Sequence, residues 1–163
     1  KAPRCSIPLA LVRDRWILAI GGLIGRNKPC TLVAAYDTVL NTWFDCNSLT
    51  TPRYNCSAIV MNQRQVYLMP GATGGSSGTS LFIDYLNTGG DNEFNPTQIN
   101  QPTYGAPISR KNWESLEVKD PAFFRAQPVC GYNITDGSKE GNKICIFGGQ
   151  SVNQFVFSQN DVS

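Results

Sequence analysis

The sequence predicts an all-β protein of short antiparallel strands joined by tight turns. The chain has 163 residues with 15 Gly and 10 Pro, a content that suits many strands and turns better than long helices. Apolar residues make up 41% of the chain, which is enough to form a buried core. A pattern of strands also recurs along the chain with a period of about 49 residues. Together these observations predict a repeated unit of four antiparallel strands.

The repeat is clearest between residues 2–22 and residues 51–71, which align without a gap. Each segment contains an apolar strand, a short polar turn and a second apolar strand that ends at glycine, Gly22 in the first copy and Gly71 in the second. Glycine at this position suits a chain that turns sharply as it leaves a strand. Two further strands follow in each copy, so one unit contains four strands.

Three units account for most of the chain. The first spans 2–46, the second spans 51–118 with a long insertion near 86–112, and an incomplete third spans 123–163. The turn between the first two strands of the third unit is six residues longer than in the other copies, within 133–142. Four strands every 40 to 50 residues is the spacing of a β-propeller blade.

The motifs within the units resemble the kelch repeat, in which a Gly pair, a Tyr-Asp pair and a Trp follow one another at set spacings. The first unit carries these residues as Gly21, Gly22, Tyr36, Asp37 and Trp43. The matching residues are Gly71, Asp84 and Trp113 in the second unit, and Gly148 and Gly149 in the third. The resemblance implies a partial kelch-type β-propeller with four-stranded antiparallel blades. Because propellers close with four to eight blades, it also implies further blades as partners of these three.

Kelch-like propellers generally act as rigid scaffolds whose loops bind other proteins. The resemblance therefore implies a non-enzymatic scaffold or adaptor for protein–protein interactions. The alternative is a secreted or carbohydrate-related propeller, such as a relative of galactose oxidase or a cell-surface module. Copper in galactose oxidase needs imidazole ligands, and the sequence contains no histidine.

Composition narrows the classes of function. The absence of histidine removes Ser-His-Asp catalysis and His-ligated zinc, so we expect no catalytic residue, no metal and no cofactor. The net charge of +2 gives no strong field for nucleic acid, and no apolar run is long enough to span a bilayer. We expect a protein partner, no nucleic acid and no membrane insertion.

Six cysteines, an even number, leave two interpretations open. No Cys-x-x-Cys motif occurs, and a chain of this length and apolar content does not need disulfides to fold. We expect reduced, buried thiols and a cytoplasmic protein. The alternative is a disulfide-bonded secreted or cell-surface protein.

The insertion in the second unit is the candidate partner-binding segment. Strands in a blade alternate in direction, so the turns between strands 1–2 and 3–4 emerge on one face. The insertion and the longer turn of the third unit should share that face. The candidate anchors are the apolar residues Phe94, Ile99 and Tyr104. The alternative is that turns of a propeller simply tolerate insertions.

The other recurring residues favour structural roles. Trp43 and Trp113 should pack between neighbouring blades, and Asp37 and Asp84 should stabilise turns. Arginines recur at the first strand of each copy and should hold carbonyl groups or an acidic partner, or alternatively form a ring that binds an anion; they are Arg4, Arg53 and Arg125.

Overall fold

The structure is a computed structural model, and it describes residues 3–26, 28–74, 82–89, 111–117, 129–133 and 143–147, the last two ranges as backbone only. The strands are β1 (Arg4–Cys5), β2 (Leu9–Val12), β3 (Trp16–Ile20), β4 (Leu23–Ile24), β5 (Lys28–Pro29), β6 (Val33–Asp37), β7 (Thr42–Cys46), β8 (Ala58–Met61), β9 (Gln65–Leu68), β10 (Phe82–Asn87), β11 (Glu114–Glu117), β12 (Val129–Asn133) and β13 (Lys143–Phe147). The described part of the chain is therefore all-β, as the sequence predicts, and within it no helix could cross a membrane.

Two sheets of four antiparallel strands form the body of the structure. Sheet 1 has the order β2-β3-β6-β7, and sheet 2 has the order β8-β9-β10-β11. Strands β12 and β13 pair antiparallel to form sheet 3, and β1, β4 and β5 form a small separate sheet. In sheets 1 and 2 each strand pairs with the next one of the same sheet, so each is a meander with four strands per repeat unit.

The first hairpins of sheets 1 and 2 have the same register. Val12 lies opposite Trp16 in sheet 1, and Met61 lies opposite Gln65 at the equivalent place in sheet 2. The two turn residues have positive φ angles in both hairpins, at 13–14 in sheet 1 and at 62–63 in sheet 2. This backbone is the type I′ turn, whose twist matches that of paired strands.

The third strand departs from the match that the sequence suggests. Asp37 lies opposite Trp16 in sheet 1, whereas Asn87 lies opposite the equivalent Gln65 in sheet 2. Asn87, and not Asp84, therefore occupies the position of Asp37. The loop between the second and third strands is longer in sheet 2. The sequence alone does not show where this loop ends and the third strand begins. Asp84 lies instead within strand β10, three residues before Asn87.

Sheets 1 and 2 pack face to face over one apolar core. Sheet 1 contributes Ala10, Val12, Trp16, Leu18, Ile20, Val33 and Ala35. Sheet 2 contributes Val66, Leu68 and Leu86, and Trp113 lies immediately before its last strand, with Ala58 and Val60 packed at the edge of the core. The first strands of the three sheets follow one another, since β2 contacts β8 and β8 contacts β12. The sheets therefore form a stack in sequence order.

The glycines after the second strand permit close approach of the backbone. A Cβ atom on Gly21 would lie 2.4 Å from the carbonyl oxygen of Arg53, and one on Gly71 would lie 2.4 Å from the Cβ atom of Cys56. Gly22 has φ +96° and donates its N–H to the Arg53 carbonyl at 2.7 Å. Any side chain at these positions would push the neighbouring segment away. The structural role that the sequence predicts for them follows from these distances, while Gly148 and Gly149 lie outside the described residues.

Candidate interaction surfaces

A buried ion pair closes the end of sheet 1. Arg15 donates from Nε to Oδ1 of Asp37 at 2.9 Å and from Nη2 to Oδ2 at 2.6 Å. The guanidinium also lies over the ring of Trp16, 4.9 Å from its centroid. Asp37 is fully buried, and 8% of Arg15 is exposed. The paired, planar contacts fix the orientation of both side chains.

Asp37 also stabilises the turn that follows it, as the sequence predicts. Its Oδ1 accepts the N–H of Val39 at 2.9 Å and that of Leu40 at 3.1 Å. Burial by itself would raise the pKa of this carboxyl. The hydrogen bonds from Arg15, Leu40 and Val39 and the charge of Arg15 outweigh burial, so the pKa of Asp37 lies below its usual value.

The threonine that follows Asp37 in sheet 1 makes the same contacts as the threonine that follows Asn87 in sheet 2. Thr38 donates from N and Oγ1 to the carbonyl of Arg15, at 3.1 and 2.8 Å. Thr88 does the same to the carbonyl of Arg64, at 3.0 and 2.8 Å. The sequence contained a signal for this match, because an Asp or Asn followed by Thr ends the third strand of each copy. Matching by residue type alone pairs Asp37 with Asp84 instead.

We call the turns at 13–14, 38–41 and 62–63, together with Thr88 and Gly89, the turn face. All of them lie at one end of the two sheets. The turns between strands 1–2 and 3–4 thus emerge on the same side, as expected from alternating strands.

Backbone and side-chain contacts join the turn face across the two sheets. The N–H of Arg13 donates to the carbonyl of Gln63 at 3.0 Å, and Nε2 of Gln63 donates to Oδ2 of Asp14 at 3.1 Å. The Arg13 guanidinium donates to the carbonyl of Gly89, where the insertion begins. The turns therefore hold one another in place.

The insertion leaves and re-enters sheet 2 at this face. Asn87, the last residue of β10, lies opposite Gln65, which follows the 62–63 turn. Glu114, the first residue of β11, lies opposite Tyr85. The candidate anchors Phe94, Ile99 and Tyr104 lie outside the described residues, so their role in partner binding stays a prediction.

Two of the repeated arginines hold carbonyl groups, which is the first of the two roles that the sequence predicts for them. Arg4 donates from Nη1 to the carbonyls of Gly21 and Leu32, each at 2.7 Å. Arg53 donates from Nη1 to the carbonyl of Phe82 at 2.6 Å. By strand register Leu32 and Phe82 are equivalent, so both arginines fasten the start of the third strand. Arg125 lies outside the described residues.

Arg53 also takes the second predicted role, that of partner to an acid. Its Nε lies 2.8 Å from Oδ2 of Asp84, and both side chains are fully buried. Ser115 donates to Oδ1 of Asp84 at 2.7 Å. Asp84 thus lies in a strand and stabilises the sheet interior, so the turn role predicted for it is wrong.

Burial dominates the electrostatics around this pair. It raises the pKa of Asp84 and lowers that of Arg53, and their attraction offsets only part of each effect. Burial also raises the pKa of the neighbouring Cys56 thiol to about 12. Cys56 is therefore a protonated thiol at neutral pH, which removes it as a nucleophile.

The described cysteines are free thiols. Cys30 is buried, Cys46 and Cys56 are half-buried, and Cys5 is exposed. The expectation of burial is therefore wrong for Cys5, because the short β1–β4 ladder leaves that side chain in solvent. Within the described ranges no group of three acidic or thiol side chains could hold a metal ion.

The second surface is the face of sheet 1 that points away from sheet 2, and within the described ranges part of it is exposed. Side chains of a strand alternate between faces, and the residues that point away from sheet 2 include large apolar ones. We call this surface the outer face of sheet 1, and it is formed by Leu9, Leu11, Ile17, Ala19, Ala34, Tyr36, Trp43 and the exposed Asp45. Leu9 is 61% exposed and Leu11 is 51% exposed. The rings of Tyr36 and Trp43 lie 5.2 Å apart between centroids.

The two tryptophans of the motif have different surroundings. Trp113 is 7% exposed and belongs to the core between sheets 1 and 2, as the sequence predicts. Trp43 is 45% exposed on the outer face of sheet 1. The packing role predicted for Trp43 is therefore not seen among the described residues.

Comparison with known proteins adds no family to these observations. The sequence matches no protein-family model, and no curated protein matches it. The class that the structure itself defines is an all-β protein of stacked antiparallel sheets.

Proposed function

We propose that this protein is a non-enzymatic scaffold for protein–protein interactions, and that sheets 1 and 2 are consecutive blades of a kelch-type β-propeller. The partner binds on the turn face, with the segment 90–110 supplying contacts through Phe94, Ile99 and Tyr104. The fold part of the proposal is supported by two four-stranded meanders with equivalent hairpins that pack face to face.

One observation carries the functional part. The turns of both sheets are bonded to each other, and the insertion begins against them, at the Arg13–Gly89 contact. A long segment anchored at its base on a rigid surface can present side chains to a partner at a small cost in conformational entropy. Loops of this length inside a compact domain are commonly functional.

Replacement of 90–110 by a short Gly-Ser linker tests this proposal. Thr88 and Gly89 stay in place, so the contacts to Arg64 and Arg13 are retained. Proteins crosslinked to the wild-type chain in cells would be quantified against those crosslinked to the variant. We expect the variant to keep its fold, measured by circular dichroism, and to lose a specific set of partners.

A matched control changes the opposite end of sheet 1. Arg26 and Lys28 lie in and beside the β4–β5 turn and are exposed. The double variant R26A/K28A should keep the partners that the loop replacement loses. Equal partner sets for the wild-type chain and the loop variant would contradict the proposed role of the turn face.

A further inference from the structure

We propose that a pocket at the end of sheet 1 opposite the turn face binds a small organic anion through Arg4 and Arg26. The group that the arginines recognise is a carboxylate or a phosphate. The inference goes beyond the proposed function, because the pocket lies away from the turn face and does not depend on the partner that binds there. It rests on the residues that line the pocket and on the hydrogen bonds that hold Arg4.

The pocket lies beside strands β1 and β4 of the small sheet. Strand β3 begins at the turn face, so β4, which follows the end of β3, lies at the other end of sheet 1. Strand β1 pairs with β4, with Arg4 opposite Ile24 and Cys5 opposite Leu23. The pocket has a volume of about 320 Å³ and is lined by Pro3, Arg4, Cys5, Leu23, Gly25 and Arg26. This volume suits a small molecule, since ligand sites commonly measure about 300–1,000 Å³.

The lining of the pocket is positively charged. Two of its six residues are arginines and none is acidic. Within the described ranges Arg26 forms no ion pair, and the hydrogen bonds of Arg4 go to carbonyl groups alone. Carbonyl oxygens carry only partial charges, so they do not cancel the charge of a guanidinium. An anion in the pocket therefore meets two positive charges without competition from a carboxylate of the lining.

Arg4 is held in position before any ligand binds. Its Nη1 donates to the carbonyls of Gly21 and Leu32, each at 2.7 Å, and its Nη2 donates to the carbonyl of Ala19 at 3.3 Å. These carbonyls belong to β3, to the glycine pair that follows it and to the residue before β6. A side chain that is already fixed loses little conformational entropy when it binds a ligand.

The same hydrogen bonds leave two donors of Arg4 available. Its Nε–H and one N–H of Nη2 have no hydrogen-bond partner within the described part of the chain. Nε and Nη2 are also the atoms with which Arg15 holds both carboxylate oxygens of Asp37. They form a planar fork that matches the geometry of carboxylate and phosphate. Arg4 can therefore bind an anion while it keeps its bonds to the three carbonyls.

Arg26 supplies the second charge, and Pro3 and Leu23 supply apolar walls. Arg26 is exposed in the turn between β4 and β5, and within the described ranges it has no partner that a ligand would displace. The apolar walls favour a ligand that carries a hydrocarbon part beside its charged group. Phenyl phosphate should therefore bind more tightly than inorganic phosphate. Equal affinities for these two probes would overturn the assignment of an organic ligand.

Isothermal titration calorimetry with phenyl phosphate, benzoate and inorganic phosphate tests the proposal. We expect one phenyl phosphate or one benzoate to bind per chain, and the tighter of the two identifies the recognised group. Arg26→Ala should weaken binding at least about tenfold, because one of two charged partners is lost. Arg26→Lys keeps the charge without the planar fork and should recover part of the loss.

Lys28→Ala is the matched control. Lys28 is exposed at the same end of sheet 1 but does not line the pocket. Its charge acts through solvent, so K28A should bind within about twofold of the wild type at an ionic strength of about 0.1 M. Equal losses of affinity in R26A and K28A would indicate attraction to a charged surface without a site, and would contradict the proposal.

The thiol of Cys5 reports where the ligand binds. Cys5 is exposed and lines the pocket, so a saturating concentration of phenyl phosphate or benzoate should slow its alkylation by iodoacetamide at least about fivefold. The same probe should have little effect on this rate in R26A. Binding that leaves the alkylation of Cys5 unchanged would place the ligand elsewhere and overturn the proposal. A lack of saturable binding for all three probes would do the same.

Discussion

Trp43 and Trp113 occupy equivalent positions in two sheets with the same strand order, yet Trp113 is buried between the sheets and Trp43 is exposed. Because the strands around them have the same register, the difference comes from the neighbouring sheet and not from the local sequence. The two tryptophans therefore separate the effect of a sheet's own sequence on burial from the effect of the neighbouring sheet.

The first prediction compares these two tryptophans. Trp113→Ala leaves a large cavity between sheets 1 and 2 and should lower the free energy of unfolding by about 3–5 kcal/mol. Trp43→Ala should lower it by less than about 1 kcal/mol in dilute solution, since the side chain is exposed. Urea denaturation followed by circular dichroism at low protein concentration measures both. A similar loss for both variants would contradict the difference in burial.

The Arg15–Asp37 pair predicts a pH-dependent loss of stability. Asp37→Asn removes the ionic contact and should cost about 3 kcal/mol near neutral pH, because it leaves the buried Arg15 charge uncompensated. The folded-state pKa of Asp37 lies below its usual value, so its ionisation stabilises the protein above the unfolded-state pKa of about 4. That contribution disappears as the pH falls through the lower folded-state pKa.

Urea denaturation between pH 7 and the acid range measures this effect as the difference in stability between wild type and Asp37→Asn. The difference should be largest at neutral pH and shrink progressively below a pH of about 4. The exposed Glu117 on β11 provides the control, and E117Q should show a much smaller difference. A pH-independent difference for Asp37→Asn would rule out the ionic contribution.

Glycine replacements test the close approach of the backbone. Gly71→Ala places a Cβ atom 2.4 Å from that of Cys56, and Gly21→Ala places one 2.4 Å from the Arg53 carbonyl. Each should cost more than about 2 kcal/mol, because atoms of the backbone or near it must move. Gly25→Ala is the control, since no atom lies within 4 Å of its Cβ position. It should cost about 1 kcal/mol, the penalty of a left-handed backbone alone.

The buried Arg53–Asp84 pair predicts strong coupling between the two side chains. Arg53→Met leaves the Asp84 carboxyl buried without its partner and should cost about 3–5 kcal/mol. The double variant R53M/D84A should be more stable than the sum of the two single losses predicts. Chemical denaturation of the four proteins gives the coupling free energy. Additive losses would contradict a direct interaction.

Thiol alkylation at neutral pH tests the cysteine environments. Cys5 is exposed and should react with iodoacetamide in the native protein. Cys56 should react much more slowly, because burial raises its pKa to about 12 and leaves little thiolate at neutral pH. Peptide mass spectrometry over a time course measures both rates. Similar rates for both thiols would contradict the burial of Cys56.

The strand content, the first hairpin of each unit and the glycines after it can be predicted from the amino-acid pattern alone. These features depend on local rules: alternation of apolar residues, short polar turns, and glycine where the chain turns sharply as it leaves a strand. The two copies agree without a gap from Pro3-Arg4 to Gly22, and the register of β2–β3 and β8–β9 follows that alignment. The sequence also correctly indicated that Arg4 and Arg53 hold carbonyl groups.

Two features depend on the folded structure: which residues are equivalent in the third strand, and which side of each sheet is covered. The first depends on loop length, which shifted the match of Asp37 from Asp84 to Asn87. The second depends on the neighbour, because the equivalent tryptophans are buried in sheet 2, at Trp113, and exposed in sheet 1, at Trp43. A side chain is buried only when a second surface packs against its own, and the residues of one strand specify only the first of these surfaces.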